Sequence, residues 1–107
     1  MKKNSLSNLK PNLVIGKYKF YSLEDILKRD LKNPEFRRAY KKAQSRRKLQ
    51  MQLREARIAR RMTQKTLAAR ADMPQSVIAR IEGGEKNITL DTLLDVADAV
   101  GKELQLV

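Results

Sequence analysis

A chain of 107 residues supports one compact domain with an appended element. Its 24 Lys and Arg against 12 Asp and Glu leave a net charge of +12 and a pI of about 10.3, the balance of a nucleic-acid binder or of a protein that touches acidic lipid. The absence of Cys and His excludes a disulfide framework, thiolate or imidazole metal ligands and His-based catalysis, so no enzyme, metal site or cofactor is expected.

The charge is unevenly placed. Residues 1–48 hold 15 basic and 4 acidic residues, residues 49–71 hold 6 and 1, and residues 72–107 hold 3 and 7. No stretch approaches 18 apolar residues, and the N-terminal lysines are not followed by the apolar run of a leader. A cytoplasmic protein that does not enter a membrane is expected.

Residues 1–12 (MKKNSLSNLKPN) are polar and aperiodic and contain Pro11, the composition of a disordered arm. Residues 13–21 alternate imperfectly, with Val14, Tyr18 and Phe20 on one side, and predict a strand interrupted by Gly16. Ser22 followed by Asp25 marks a helix entry, and Leu23, Ile26, Leu27 and Leu31 share its apolar side. Asn33-Pro34-Glu35 is a stronger start: an Asn cap, Pro at the first helical position, and a carboxylate at the positive helix end. No Gly or Pro follows until Pro74, so one helix over 34–61, roughly 40 Å long, is predicted. Its first half has only Phe36, Tyr40 and Ala43 as an apolar line among seven Lys and Arg, too narrow a stripe to anchor it in a core.

From Leu49 the pattern is that of a packed helical domain. Leu49, Leu53 and Ala56 share a face, Met62 closes the segment, Leu67 and Ala68 fall in the next helix, and Ile78 and Ile81 in the one after. Past Gly83-Gly84, Thr89 caps a helix whose Leu93, Leu94, Ala97 and Val100 point inward, and Gly101 stops it. Glu103–Val107 alternates as a strand would. The expected organisation is an arm (1–12), a basic, weakly anchored segment (13–48) and a packed helical domain (49–107).

Residues 63–84 carry the chemistry. Ala68 and Ala69 allow close approach of two short helices, Asp72-Met73-Pro74 breaks the chain between them, and Ile78 and Ile81 hold the second helix by its inner face. That is a helix-turn-helix, whose second helix enters the DNA major groove. Its outer face presents Gln75, Ser76, Ala79 and Arg80. Gln bonds adenine bidentately, Ser pairs with any base edge, and Ala suits a thymine methyl. Gln64 is placed to meet a phosphate and to brace Gln75, while Lys65, Arg46, Arg47, Arg70 and Lys86 are candidate backbone contacts. Arg57 and Glu82 fall on inward positions and are read as a structural ion pair. Asp91, Asp95 and Asp98 are read as a polar helix face and not a metal site.

Arg57, Met62-Thr63-Gln64, Leu67-Ala68, Gln75 through Glu82, Gly84 and Thr89 through Leu93 resemble the lambda-repressor-like, Xre/Cro-type helix-turn-helix family over residues 53–107. The resemblance implies a mainly α bundle with a basic helical extension and short terminal strands. It also implies DNA contact by Gln64, Gln75 and Ser76, and an interhelical salt bridge between Arg57 and Glu82. Arg61 and Asp72 stand where the family often has Gly, at positions expected to be left-handed.

The Asn33-Pro34-Glu35-Phe36 entry and the Leu90–Val107 ending are similar to HigA-type antitoxins of type II toxin–antitoxin systems. That resemblance implies binding to double-stranded operator DNA as a homodimer, and capture of a RelE/HigB-like mRNA-cleaving toxin. The toxin would sit on Phe36 and Tyr40 with the 13–31 stretch, including Tyr18, Phe20, Ile26 and Leu27. Pairing of the two chains is expected through Leu104 and Leu106, and no small-molecule ligand is implied. Such toxins are usually basic, so the toxin surface here would need an acidic patch. A stand-alone or phage-type repressor is the alternative, and a protein or RNA interaction module with a vestigial helix-turn-helix is the second.

Overall fold

The structure, a computed structural model, describes residues 9–106. Most of the arm expected over 1–12 therefore lies outside the described residues, as does Val107. The chain forms two compact units, Met1–Lys42 and Ala43–Val107.

In the first unit, strands β1 (Leu13–Ile15) and β2 (Tyr18–Phe20) pair antiparallel, with Leu13 opposite Phe20, Val14 opposite Lys19 and Ile15 opposite Tyr18. The strand expected over 13–21 is thus a hairpin. Gly16 does not merely interrupt it: at φ +59° it opens a two-residue turn, and a left-handed residue there matches the twist of the strands. Facing partners share a side, so Leu13, Ile15, Tyr18 and Phe20 line one face and Val14 with Lys19 the other. All six side chains are exposed. Helix α1 (Leu23–Asp30) starts where Ser22 Oγ accepts the N–H groups of Glu24 and Asp25, at 3.1 and 3.3 Å. Ile26, Leu27 and Leu31 are half-buried, but Leu23, expected on the same side, is 84% exposed.

Helix α2 (Pro34–Ala59) begins where Asn33 Oδ1 accepts from the N–H groups of Glu35 and Phe36, at 2.9 and 3.2 Å. It ends two residues before the expected Arg61. Its turns from Ala43 onward join α3 (Gln64–Arg70), α4 (Gln75–Glu82) and α5 (Leu90–Ala99) in the second unit. Thr63 and Thr89 cap α3 and α5, each Oγ1 accepting the N–H three residues on. The core is Leu53, Met62, Leu67, Ala68, Ile78, Ile81, Val96, Ala97 and Val100. Leu67, Ile78, Ile81, Val96 and Val100 are fully enclosed, and burying each stabilises the fold by about 1.5–3 kcal/mol.

Helices α2 to α5 all stop in the same turn. The N–H of Met62 reaches back to Arg57 O, Met73 to Ala68 O, Glu85 to Arg80 O and Lys102 to Ala97 O, at 2.8–3.1 Å. These are Schellman motifs, each with one left-handed residue: Arg61 (φ 56°), Asp72 (55°), Gly84 (93°) and Gly101 (75°). The strand expected over Glu103–Val107 does not form. Residues 103–106 have no regular structure, because alternation specifies two faces while a strand also needs a neighbour to bond. Leu104, expected on an exposed pairing edge, is half-buried against the core; Leu106 is fully exposed.

Candidate nucleic-acid interface

Helix α4 is fixed by its inner face, where Ile78 and Ile81 are each 1% exposed. Gln75, Ser76, Ala79 and Arg80 recur at the spacing of a single face and are all exposed. The helix opens on Pro74, extended at φ −65° and ψ 147° and offering no side-chain cap, so Gln75 and Ser76 lie in its first turn. α3 packs against α4 through buried Leu67 and Ala68, and Asp72 supplies the left-handed residue that turns the chain between them. A turn this tight leaves the outer face of α4 uncovered by α3.

Beneath that face is an ion-paired cluster. Arg57 donates from Nε to Glu82 Oε2 at 2.6 Å and from Nη2 to Glu82 Oε1 at 2.9 Å, a two-pronged pair, and from Nη1 to Met62 O at 2.7 Å. The side chains of Arg57 and Glu82 are 11% and 6% exposed. Burial pushes the Glu82 carboxyl upward, but the hydrogen bonds from Arg57 and Gln64 and the charges of Arg57 and Arg54 outweigh it and hold the group below its ordinary range. The Glu82 hydrogen bond raises the Arg57 guanidinium against the opposing effect of burial, with the carboxylate charge adding to the rise. The pair ties α2 to the end of α4.

Gln64, half-buried at the start of α3, donates from Nε2 to Glu82 Oε1 at 3.1 Å. Its partner is therefore Glu82, where the sequence pointed to Gln75. A buried carboxylate with unused lone pairs is the stronger acceptor within reach. Around α3 and α4, Lys65, Arg70, Arg80 and Lys86 are exposed; on α2 Arg47 is exposed and Arg46 half-buried. Among the described residues none of these six cations has an ion-pair partner. Gln50 is a residue the sequence reading missed. It is 5% exposed, and its Nε2 donates to Glu85 O at 2.7 Å, tying α2 to the loop after α4.

The helix-turn-helix family matches over residues 53–107, from the last turns of α2 through α5 to the end of the chain. The chain belongs to the lambda-repressor-like helix-turn-helix family. This helix-turn-helix chain matches no curated protein and no solved structure. Its family is one of DNA-binding domains, and the chain is a sequence-specific DNA-binding regulator.

The remaining sequence-predicted residues of this helix-turn-helix protein sit in the first unit or at its C-terminal end. Phe36 and Tyr40 stack one helical turn apart, with ring centroids 6.1 Å apart and planes at 20°. Tyr18 and Phe20 are on the exposed hairpin face, and Ile26 and Leu27 are half-buried on α1. Leu104 joins Leu49, Leu53, Ala56 and Val100 in lining a groove beside α2, while Leu106 stands clear of it. Among the described residues no cluster of acidic side chains is arranged to hold a metal ion, and no helix is long and apolar enough to cross a membrane.

Proposed function

We propose that this regulator is an antitoxin that binds operator DNA as a homodimer, represses its own operon and neutralises a RelE/HigB-like toxin through residues 13–48. On the DNA side, Gln75, Ser76, Ala79 and Arg80 read base edges from the first turns of α4. Gln64, Lys65, Arg46, Arg47, Arg70 and Lys86 hold phosphates. Two recognition helices about 34 Å apart would meet successive major-groove faces, which is the reason for pairing two chains. One helix with a few reading side chains gives little affinity by itself.

The observation that carries the toxin half is the hairpin. Leu13, Ile15, Tyr18 and Phe20 form an apolar face with exposures of 49–62%, in a unit that lies outside the family match. Two strands alone are marginally stable in water, and a contiguous apolar face is the mark of a surface that meets a partner. Residues 9–42 carry 10 basic and 4 acidic side chains, so the matching toxin surface is acidic. Leu106 and the part-exposed Leu104 supply apolar surface for the dimer.

Two experiments test this reading. Wild-type chain is used to select duplexes from a random-sequence DNA pool; enrichment of a two-fold symmetric site is expected, and no enrichment would refute operator binding. The reading frame beside this gene is then expressed with the chain. A small ribonuclease whose toxicity is relieved by wild type, but not by Tyr18→Asp with Phe20→Asp, supports the antitoxin. Absence of any such toxin leaves a stand-alone repressor.

A further inference from the structure

We propose that Glu82 is a positioning residue for DNA contact: it holds the Gln64 side chain in the orientation in which its amide meets a phosphate. The inference rests on the reading of Gln64 as a backbone contact. Glu82 closes α4, yet its side chain is only 6% exposed, so its carboxylate faces the interior of the second unit and not the DNA surface. An ionised carboxylate only accepts hydrogen bonds and has room for about four. Arg57 takes one on each oxygen, at 2.6 and 2.9 Å, and Oε1 takes a further one from Gln64 Nε2 at 3.1 Å.

A phosphate oxygen also only accepts. Gln64 can therefore bind one only if its nitrogen, and not its carbonyl oxygen, is in reach. An amide that could flip would present the wrong end half of the time, and a free Gln would lose several rotamers on docking. Glu82 removes both problems. Its lone pairs repel the amide oxygen, which fixes which end of Gln64 is which, and one N–H bound inward leaves the second for an outside acceptor. Arg57 holds Glu82 from the other side, so the three residues link α2, α3 and α4 around one carboxylate. The chain has this orientation before DNA arrives. Immobilising such a side chain at the moment of binding instead would weaken affinity about two- to tenfold.

The test separates position from folding by replacing the ion pair with apolar residues of similar size, Arg57→Met with Glu82→Leu, a change that commonly preserves stability. Binding to the duplex selected by wild type is measured in a four-member cycle with Gln64→Ala. The expected result is a two- to tenfold loss for the Met/Leu pair when Gln64 is present and none in the Gln64→Ala background. Equal losses in both backgrounds, or no loss at all, overturn the proposal. A second measurement needs no variant: nitrogen relaxation of the Gln64 side-chain amide in the DNA-free protein. An order parameter near the rigid-backbone value of about 0.85 supports a pre-set amide, and one below about 0.6 overturns it. If Gln64→Ala binds as wild type does, the backbone-contact reading of Gln64 fails and takes the proposal with it. If wild type selects no duplex, the operator reading itself has failed.

Discussion

Replacing Arg57 by Met removes three hydrogen bonds at once and strips Glu82 of its main counter-charge. What remains for that carboxylate is Gln64 at 3.1 Å and Arg54, whose Nε is 3.8 Å away on a side chain 58% exposed and screened by water. Met62 O loses the guanidinium as well. Breaking a buried pair from one side costs about 3–5 kcal/mol, and the residual partners put this case near the lower figure. For a domain this small each kcal/mol moves the midpoint by about 4–8 °C, so a fall of roughly 12 °C or more is expected in thermal unfolding followed by helical circular dichroism at neutral pH. The pH response fixes the cause. Glu82 titrates lower in the folded chain than in the unfolded one, so its contribution is full above the unfolded value of about 4.3 and is lost as pH falls through the folded one. Wild type should therefore lose stability in acid more steeply than Arg57→Met with Glu82→Leu. A midpoint for Arg57→Met within about 3 °C of wild type, or parallel acid profiles for wild type and the double variant, would refute the argument.

Other outcomes follow from single residues. Arg61→Gly should stabilise the second unit by about 0.5–1 kcal/mol in denaturant titration, because Arg61 is left-handed at φ 56° and Gly loses that strain at some cost in unfolded-state entropy. Gln50→Leu should destabilise it by about 1–3 kcal/mol, since Glu85 O loses the donor that reaches it at 2.7 Å; an unchanged chemical midpoint would show that water replaces the amide. Gln75→Ala with Ser76→Ala should leave non-specific DNA affinity and its salt dependence nearly unchanged while removing discrimination between the selected duplex and a scrambled one. Retained discrimination would move base reading to other residues.

The helical domain was legible in the sequence because its signals are local. Thr89, Ser22 and Asn33 cap helices within three residues of themselves, and the inward spacing of Ile78 and Ile81 needs no knowledge of what they meet. What escaped depends on residues far away in the chain. Gln50 is one polar residue among many on α2 until Glu85, 35 positions on, arrives beside it. The partner of Gln64 is 18 positions away for the same reason. The C-terminal alternation does not specify a strand, because pairing is a property of two segments, and Leu104 packs against the core instead. Gly16 looks like a defect within one strand when only alternation is followed, although two residues between apolar runs is the length of a hairpin turn.

The helix endings carry a consequence for how long the protein lasts. Gly84 and Gly101 adopt the left-handed conformation freely, whereas Arg61 and Asp72 hold it against the crowding of a side chain. Each kcal/mol of such strain multiplies the unfolded population about fivefold, so the two together raise it by an order of magnitude or so. A protease that cuts the transiently open chain works in proportion to that population. Exchanging both residues for Gly is therefore expected to slow proteolysis of the purified chain, where reclosing outpaces cleavage, without adding or removing a DNA contact.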